Sequence, residues 1–380
     1  MTVSDNSYFE SLLFCDGITV FDGCVWAICV DKNLLLGINL CTGEYTKCLW
    51  IPTKRNTGIP FRYMSVFKER LCLIPYDETY LCFYDPCKDV FECVDVPQEF
   101  FMPNVCCRLV GVIVDNNRMI FYGSYSRVLI YTITDTGNDF RWIDLEKNKP
   151  TEIKNKNWFW TNGYHGGERI RLVMQEAPYV VTIDCDNGEV LFDRIPGEDK
   201  AIDNVNISGE VIVYSPRGKL GTIKRYNIKT KELKIIYKAE AYNDTMRCFG
   251  YVFGDENVVV LLPGQNNQMA IVNKSDENIL QNYDKNTYTK LGTIFPYELI
   301  YRNAYVTDYR HIITINPWEG QIVDIDIDAG SVCTKKVCVS DQLDKNQMFS
   351  SIVRGNNGRI IYEKASGMLE TFLDVVCDSR

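Results

Sequence analysis

Asn39-Leu40-Cys41-Thr42-Gly43 is a turn flanked by two apolar strands, and it recurs along the chain. Related segments are Asp85-Pro86-Cys87-Lys88-Asp89, Asp184-Cys185-Asp186-Asn187-Gly188 and Asn227-Ile228-Lys229-Thr230-Lys231. Three more begin at Asn273, Asp326 and Asp374, and a degraded copy lies near Thr132. Successive copies are 46, 47, 52, 43, 46, 53 and 48 residues apart. A period of that size with strands between the copies is the mark of a solenoid, propeller or array. Asn and Asp suit the first position because their side chains bond the backbone two residues on.

Each repeat reads as four short strands, A to D. In the first unit they are Gly17–Phe21, Cys24–Val30, Leu34–Leu40 and Glu44–Ile51. Asp22-Gly23 and Thr42-Gly43 supply the positive φ that tight hairpins need. The strands are rich in Val, Ile, Leu, Tyr and Cys, as half-buried or buried strands are. The units fall at about 16–52, 60–97, 104–146, 157–197, 201–240, 245–285, 293–340 and 347–380. The eighth lacks a strand D, and the N-terminus carries a spare strand near Tyr8–Cys15. The expectation is one all-β domain over 1–380, a closed eight-bladed propeller whose N-terminal strand, in residues 1–15, completes the last blade. Seven blades is the alternative, if the third and fourth units are divided differently.

Phe83-Tyr84-Asp85-Pro86, followed by Val90-Phe91-Glu92-Cys93-Val94, resembles the tyrosine-aspartate-proline segment before the outer strand of kelch repeats. The strand plan is similar to kelch and galactose-oxidase-like propellers. Gly123 and Gly264 sit near the places of the paired glycines in that pattern.

The formal net charge of −9 works against general attraction to nucleic acid or anionic lipid. No apolar run approaches the roughly 18 residues that span a bilayer. The first residues, Met1 to Asn6, lack the basic and apolar regions of a signal peptide. The chain has 16 cysteines, and most sit in apolar strand patterns, Cys29, Cys72, Cys82 and Cys248 among them, where they act as small hydrophobes. There is no Cys-x-x-Cys pair. The reading is a cytoplasmic protein with reduced thiols, no metal and no cofactor.

The two histidines limit catalysis. His165 stands in Gly163-Tyr164-His165-Gly166-Gly167, read as a loop, and His311 begins a strand, where an ordinary partner is expected. No phosphate loop or dinucleotide fingerprint is present. Asp184 and Asp326 occupy the repeated turn position, and Asp324-Ile325-Asp326-Ile327-Asp328 reads as a strand with one polar face.

The binding candidates are positional. Arg62, Arg108, Arg247 and Arg302 each stand near the start of a strand A, 8, 10, 10 and 8 residues before the next strand. Even offsets put them on one side of strand A if the turns are regular. Arginines around one mouth suit a carboxylate or phosphate; the competing role is to pair with neighbouring acids and tie blades together. Loops on the same face add Tyr76, Tyr125 and Trp318, with His165 as a further candidate. These residues point to a non-catalytic scaffold for a protein partner or an acidic small molecule or glycan. The alternative is a carbohydrate-active hydrolase or lyase at the channel mouth.

Overall fold

The computed structural model describes residues 15–29, 33–54, 59–101, 108–115, 117–123, 126–134, 137–153, 160–166, 169–174, 176–199, 201–217, 221–238, 249–254, 258–263, 269–273, 279–283, 304–307, 311–316, 320–326, 329 and 331–339. Strands β1 (Cys15–Phe21), β2 (Cys24–Cys29), β3 (Leu34–Asn39) and β4 (Glu44–Trp50) form the first sheet. The second holds β5 (Phe61–Phe67), β6 (Arg70–Pro75), β7 (Tyr80–Asp85) and β8 (Val90–Asp95). The third holds β9 (Leu109–Asp115), β10 (Arg118–Gly123), β11 (Arg127–Thr134) and β12 (Gly137–Asp144). The fourth holds β13 (Trp160–Gly166), β14 (Arg169–Met174), β15 (Tyr179–Asp184) and β16 (Val190–Arg194). The fifth holds β17 (Ile202–Ser208), β18 (Val211–Pro216), β19 (Thr222–Asn227) and β20 (Leu233–Lys238). The sixth holds β21 (Phe249–Gly254), β22 (Val258–Pro263), β23 (Met269–Asn273) and β24 (Ile279–Tyr283). The last holds β25 (Ala304–Thr307), β26 (His311–Asn316), β27 (Gln321–Asp326) and β28 (Ser331–Lys336). No helix among the described residues is long and apolar enough to cross a membrane.

The recurring turn explains why strands C and D form a hairpin each time. Asn39 Oδ1 accepts the N–H groups of Cys41 and Thr42, both at 2.8 Å. Asp85, Asp184 and Asn227 each accept the corresponding two N–H groups. The fifth residue then bonds back to the carbonyl of the first in all four turns. It has left-handed backbone each time, at φ 77° for Gly43, 56° for Asp89, 76° for Gly188 and 62° for Lys231. A short polar side chain that replaces missing backbone partners is what this position needs.

The second strand of each sheet is the core. β2, β6, β10 and β18 are buried along nearly their whole length. The outer strands β8 and β28 are largely exposed. The apolar clusters lie between sheets: Trp26, Ile28 and Leu35 of the first pack with Leu71, Leu73, Cys82 and Tyr84 of the second. Burial of each such side chain contributes about 1.5–3 kcal/mol. Cys29, Cys72 and Cys82 are buried as small hydrophobes, as their strand pattern predicts, and Cys248 lies outside the described residues.

The blade number is a correction. In place of the eight units expected, the described residues form six sheets of four strands and a first sheet of five. The fifth strand is β29 (Cys338–Val339), which pairs parallel with Glu44 and Tyr45 at the outer edge of β4. The last sheet packs directly on the first. β25 lies against β1, and Ile313, Ile315 and Ile322 share a cluster with Val25, Ala27 and Leu36. Lys335 Nζ donates to the Leu40 carbonyl at 2.9 Å, and Cys338 N donates to Gly43 O at 3.0 Å. Among the described residues no sheet stands between the two. The expected eighth unit, at 347–380, and the spare strand up to residue 14 lie outside the described residues, while Cys15 itself begins β1.

Candidate binding face

The B–C loop of the second sheet is fastened to the residues just before β5. Tyr76 N donates to the Pro60 carbonyl at 2.8 Å, and Asp77 N to that of Ile59 at 3.0 Å. Asp77 Oδ2 accepts Ile59 N at 2.8 Å, and Glu78 Oε1 accepts Lys54 N at 3.1 Å. The loop is therefore a rigid part of the rim.

On that rim Tyr76 stands between two arginines. The Arg62 guanidinium carbon lies 5.4 Å from the ring centroid of Tyr76, and that of Arg108 lies 4.9 Å from it. Arg62 also lies 5.7 Å from the Tyr63 ring. Arg108 Nε is 3.6 Å from Asp77 Oδ1, and its side chain is 42% exposed. Guanidinium groups over an aromatic ring are attracted by its quadrupole, and their outer N–H groups still reach a planar acceptor.

Glycines let the two arginine backbones come this close to the neighbouring strands. A Cβ on Gly17 of β1 would stand 2.7 Å from the Arg62 carbonyl oxygen. A Cβ on Gly123 would overlap the Arg108 carbonyl. The simple alternation expected along strand A does not hold. Register shifts interrupt pairing between Phe61 and Tyr63, across the Gly111–Leu109 step, between Thr161 and Gly163, and between Phe249 and Tyr251. A bulge turns the chain locally and re-aims its side chains. Arg62 and Arg108 thus converge on Tyr76 through bulges, not through a shared parity.

The rim is braced by the first residues of strand C. Tyr80 Oη donates to the Pro52 carbonyl at 2.7 Å, and Arg127 donates to the carbonyls of Glu99 and Phe100 at 2.8 and 2.9 Å. Tyr179 donates to Glu152, and burial pushes its phenol up to about 12. In the fifth sheet the buried Glu198 accepts from Tyr214 at 2.9 Å and from Lys224. This buried carboxylate is committed to structure. Composition alone hides all these braces, although the polar residues that open β7, β11 and β15 are visible in the sequence.

Other candidates stand elsewhere. His165 is a strand residue, not a loop residue: it pairs with Ile170 next to the A–B turn, at the far end of β13 from the rim. Tyr125, Arg247, Arg302 and Trp318 lie outside the described residues. His311 opens β26, with Nδ1 3.2 Å from Asp324 Oδ1 and Nε2 3.8 Å from Asp326 Oδ2. The polar face expected for that strand is its partner surface.

No family model matches the sequence, and no curated protein matches it. Solved structures do match. Streptogramin B lyase aligns with a TM-score of 0.57 at 15% identity, over 80% of this chain and 91% of that one. The Cps50 (Swd1) β-propeller domain of Myceliophteria thermophila aligns at 0.54 and 10%, over 85% of this chain and 97% of that one. The fold is a β-propeller. Sqt1 of Saccharomyces cerevisiae is similar again, at 0.56 and 10%, over 86% of both chains. At these identities the likeness shows the propeller fold alone, and propellers carry binding and catalytic proteins alike.

Proposed function

We propose that this propeller is a non-catalytic scaffold that receives a protein partner on the rim where the inner strands begin. The observation that carries the reading is Tyr76 held between Arg62 and Arg108 on a braced loop. Arginine and tyrosine are the residue types that anchor protein interfaces. Two guanidinium groups flanking one ring suit a carboxylate-bearing segment of the partner, since arginine binds planar anions through paired N–H groups. The rim is pre-formed, so little ordering entropy is lost on association. Arg247, Arg302, Tyr125 and Trp318 extend the same face in this reading, and the kelch likeness of Phe83-Tyr84-Asp85-Pro86 agrees with it. Buried thiols such as Cys29 and Cys72 fit a reducing, cytoplasmic setting.

The test is comparative capture. Wild-type protein, Arg62→Glu, Arg108→Glu and the outer-strand control Lys234→Glu are used as bait under identical salt. The expected result is a partner kept by the wild type and by Lys234→Glu and lost with both rim variants. A captured set that is the same for all four proteins would overturn the reading.

A further inference from the structure

Two cysteines on the outer half of the second sheet face each other. Cys82 of β7 pairs directly with Cys93 of β8. The hydrogen bond from Val96 N to the Thr79 carbonyl, at 3.0 Å, sets the phase of this ladder. Hydrogen-bonded pairs alternate with open ones, so the pairs Thr79–Val96 and Leu81–Val94 are bonded, while Cys82–Cys93 is open. Cα atoms of an open antiparallel pair are about 4.5 Å apart, at the near edge of the range of about 4.4–6.8 Å that disulfides span. As directly opposed residues of neighbouring strands, both side chains point to the same face.

Their surroundings differ. Cys82 is fully buried against Trp26, Leu35 and Tyr84 in the seam between the first and second sheets. Cys93 is exposed. The Lys54 ammonium comes down on this face: it pairs with Asp95, two residues from Cys93, and lies 4.8 Å from the Tyr80 ring centroid. The face thus holds an accessible sulfur with a cation nearby and a second, protected sulfur directly across the strand.

We propose that Cys93 and Cys82 form a reversible thiol–disulfide pair, in which Cys93 reacts with a hydroperoxide and Cys82 resolves the product. Cys93 is the exposed member and so the one a hydroperoxide reaches, and the neighbouring Cys82, helped by Lys54, holds its thiol below the ordinary value. Cys93 opposite and burial hold the Cys82 proton in place. In the first step the Cys93 thiolate attacks one peroxide oxygen. An S–O bond forms, the O–O bond breaks, and the departing oxygen anion takes a proton from water. In the second, the Cys82 sulfur attacks the Cys93 sulfenic acid. The S–S bond forms, the S–O bond breaks, and hydroxide leaves with the Cys82 proton as water. Two thiols lose two electrons and the peroxide gains them. A dithiol reverses the step by exchange, becoming a disulfide itself.

Site-resolved mass spectrometry of the intact protein tests this. With iodoacetamide at neutral pH, Cys93 is expected to alkylate about tenfold faster than the exposed Cys41 and Cys87. Hydrogen peroxide added in stoichiometric steps is expected to give a linked Cys82–Cys93 peptide two hydrogens lighter, lost again on dithiothreitol. Lys54→Ala is expected to slow both reactions. Cys82→Ala is expected to leave a Cys93 sulfenic acid that dimedone traps. Alkylation of Cys93 no faster than Cys41 and Cys87, or peroxide carrying wild-type Cys93 to the sulfonic acid with no linked peptide, would overturn the proposal. Both readouts use the wild type, so they decide it even if Cys82→Ala does not fold.

Discussion

Gly123 and Arg108 are in backbone contact: a Cβ on Gly123 would overlap the Arg108 carbonyl and come within 2.8 Å of the Leu109 Cα. The glycine ends β10 at the bulge that re-aims the start of β9. Gly123→Ala is expected to push this segment outward, at a cost of about 1–3 kcal/mol for overpacking. Thermal unfolding measures the cost, and loss of partner binding would accompany it, because Arg108 moves away from Tyr76. An unchanged melting temperature would mean that the strand start yields freely.

The contact between Arg108 and Tyr76 can be isolated by a double-mutant cycle. Arg108→Ala, Tyr76→Ala and the double variant are compared by urea denaturation. A coupling of about 0.5–1 kcal/mol is expected for a partly exposed cation over a ring. Zero coupling would remove the stack as an organising feature of the rim.

The recurring turn makes a prediction about stability alone. Asn39→Ala removes the acceptor for two backbone N–H groups and is expected to cost about 1 kcal/mol. Asn39→Asp keeps the acceptor and is expected to be near neutral. The urea midpoints of the two variants should therefore separate; equal midpoints would mean that water replaces the side chain at no cost.

Lys68 and Glu69 form the A–B turn of the second sheet with φ 48° and 58°, left-handed values that side chains disfavour. Glu69→Gly is expected to stabilise by about 0.5–1 kcal/mol, relief of strain outweighing the added freedom of the unfolded chain. A lower melting temperature would contradict it.

Stability is expected to fall at both ends of the pH range. Lys47 first, and then Tyr84, hold the Asp89 carboxyl below its ordinary value. Its contribution is present above the unfolded value of about 4 and is lost as pH falls through the folded one. Burial, with Glu198 nearby, pushes the Tyr214 phenol up. Above about pH 10 the folded state binds more protons than the unfolded one, so stability falls as pH rises toward the folded value. Urea midpoints across pH check both limbs: Asp89→Asn should flatten the acid limb and Tyr214→Phe the alkaline one.

Much of the fold was legible because its signals are local. The Asn39, Asp85, Asp184 and Asn227 turns close within five residues, so the side chain, its N–H partners and the left-handed residue are all in one short string. Strand alternation and hairpin turns are local in the same sense, and they placed the strands of the described units to within a few residues. That Arg62, Tyr76 and Arg108 share a face also followed from strand order. Three things did not. The number of sheets depends on where Ser331–Lys336 leads, and Cys338–Val339 joins a strand nearly three hundred residues earlier. The aim of Arg62 and Arg108 depends on bulges whose place is set by packing of one inner strand on the next, with Gly17 and Gly123 as the points of approach. The pairing of Cys82 with Cys93 depends on a register that one residue of slip would destroy. In each case the deciding energy lies in contacts between segments that the chain alone does not bring together, so only the tertiary structure decides them.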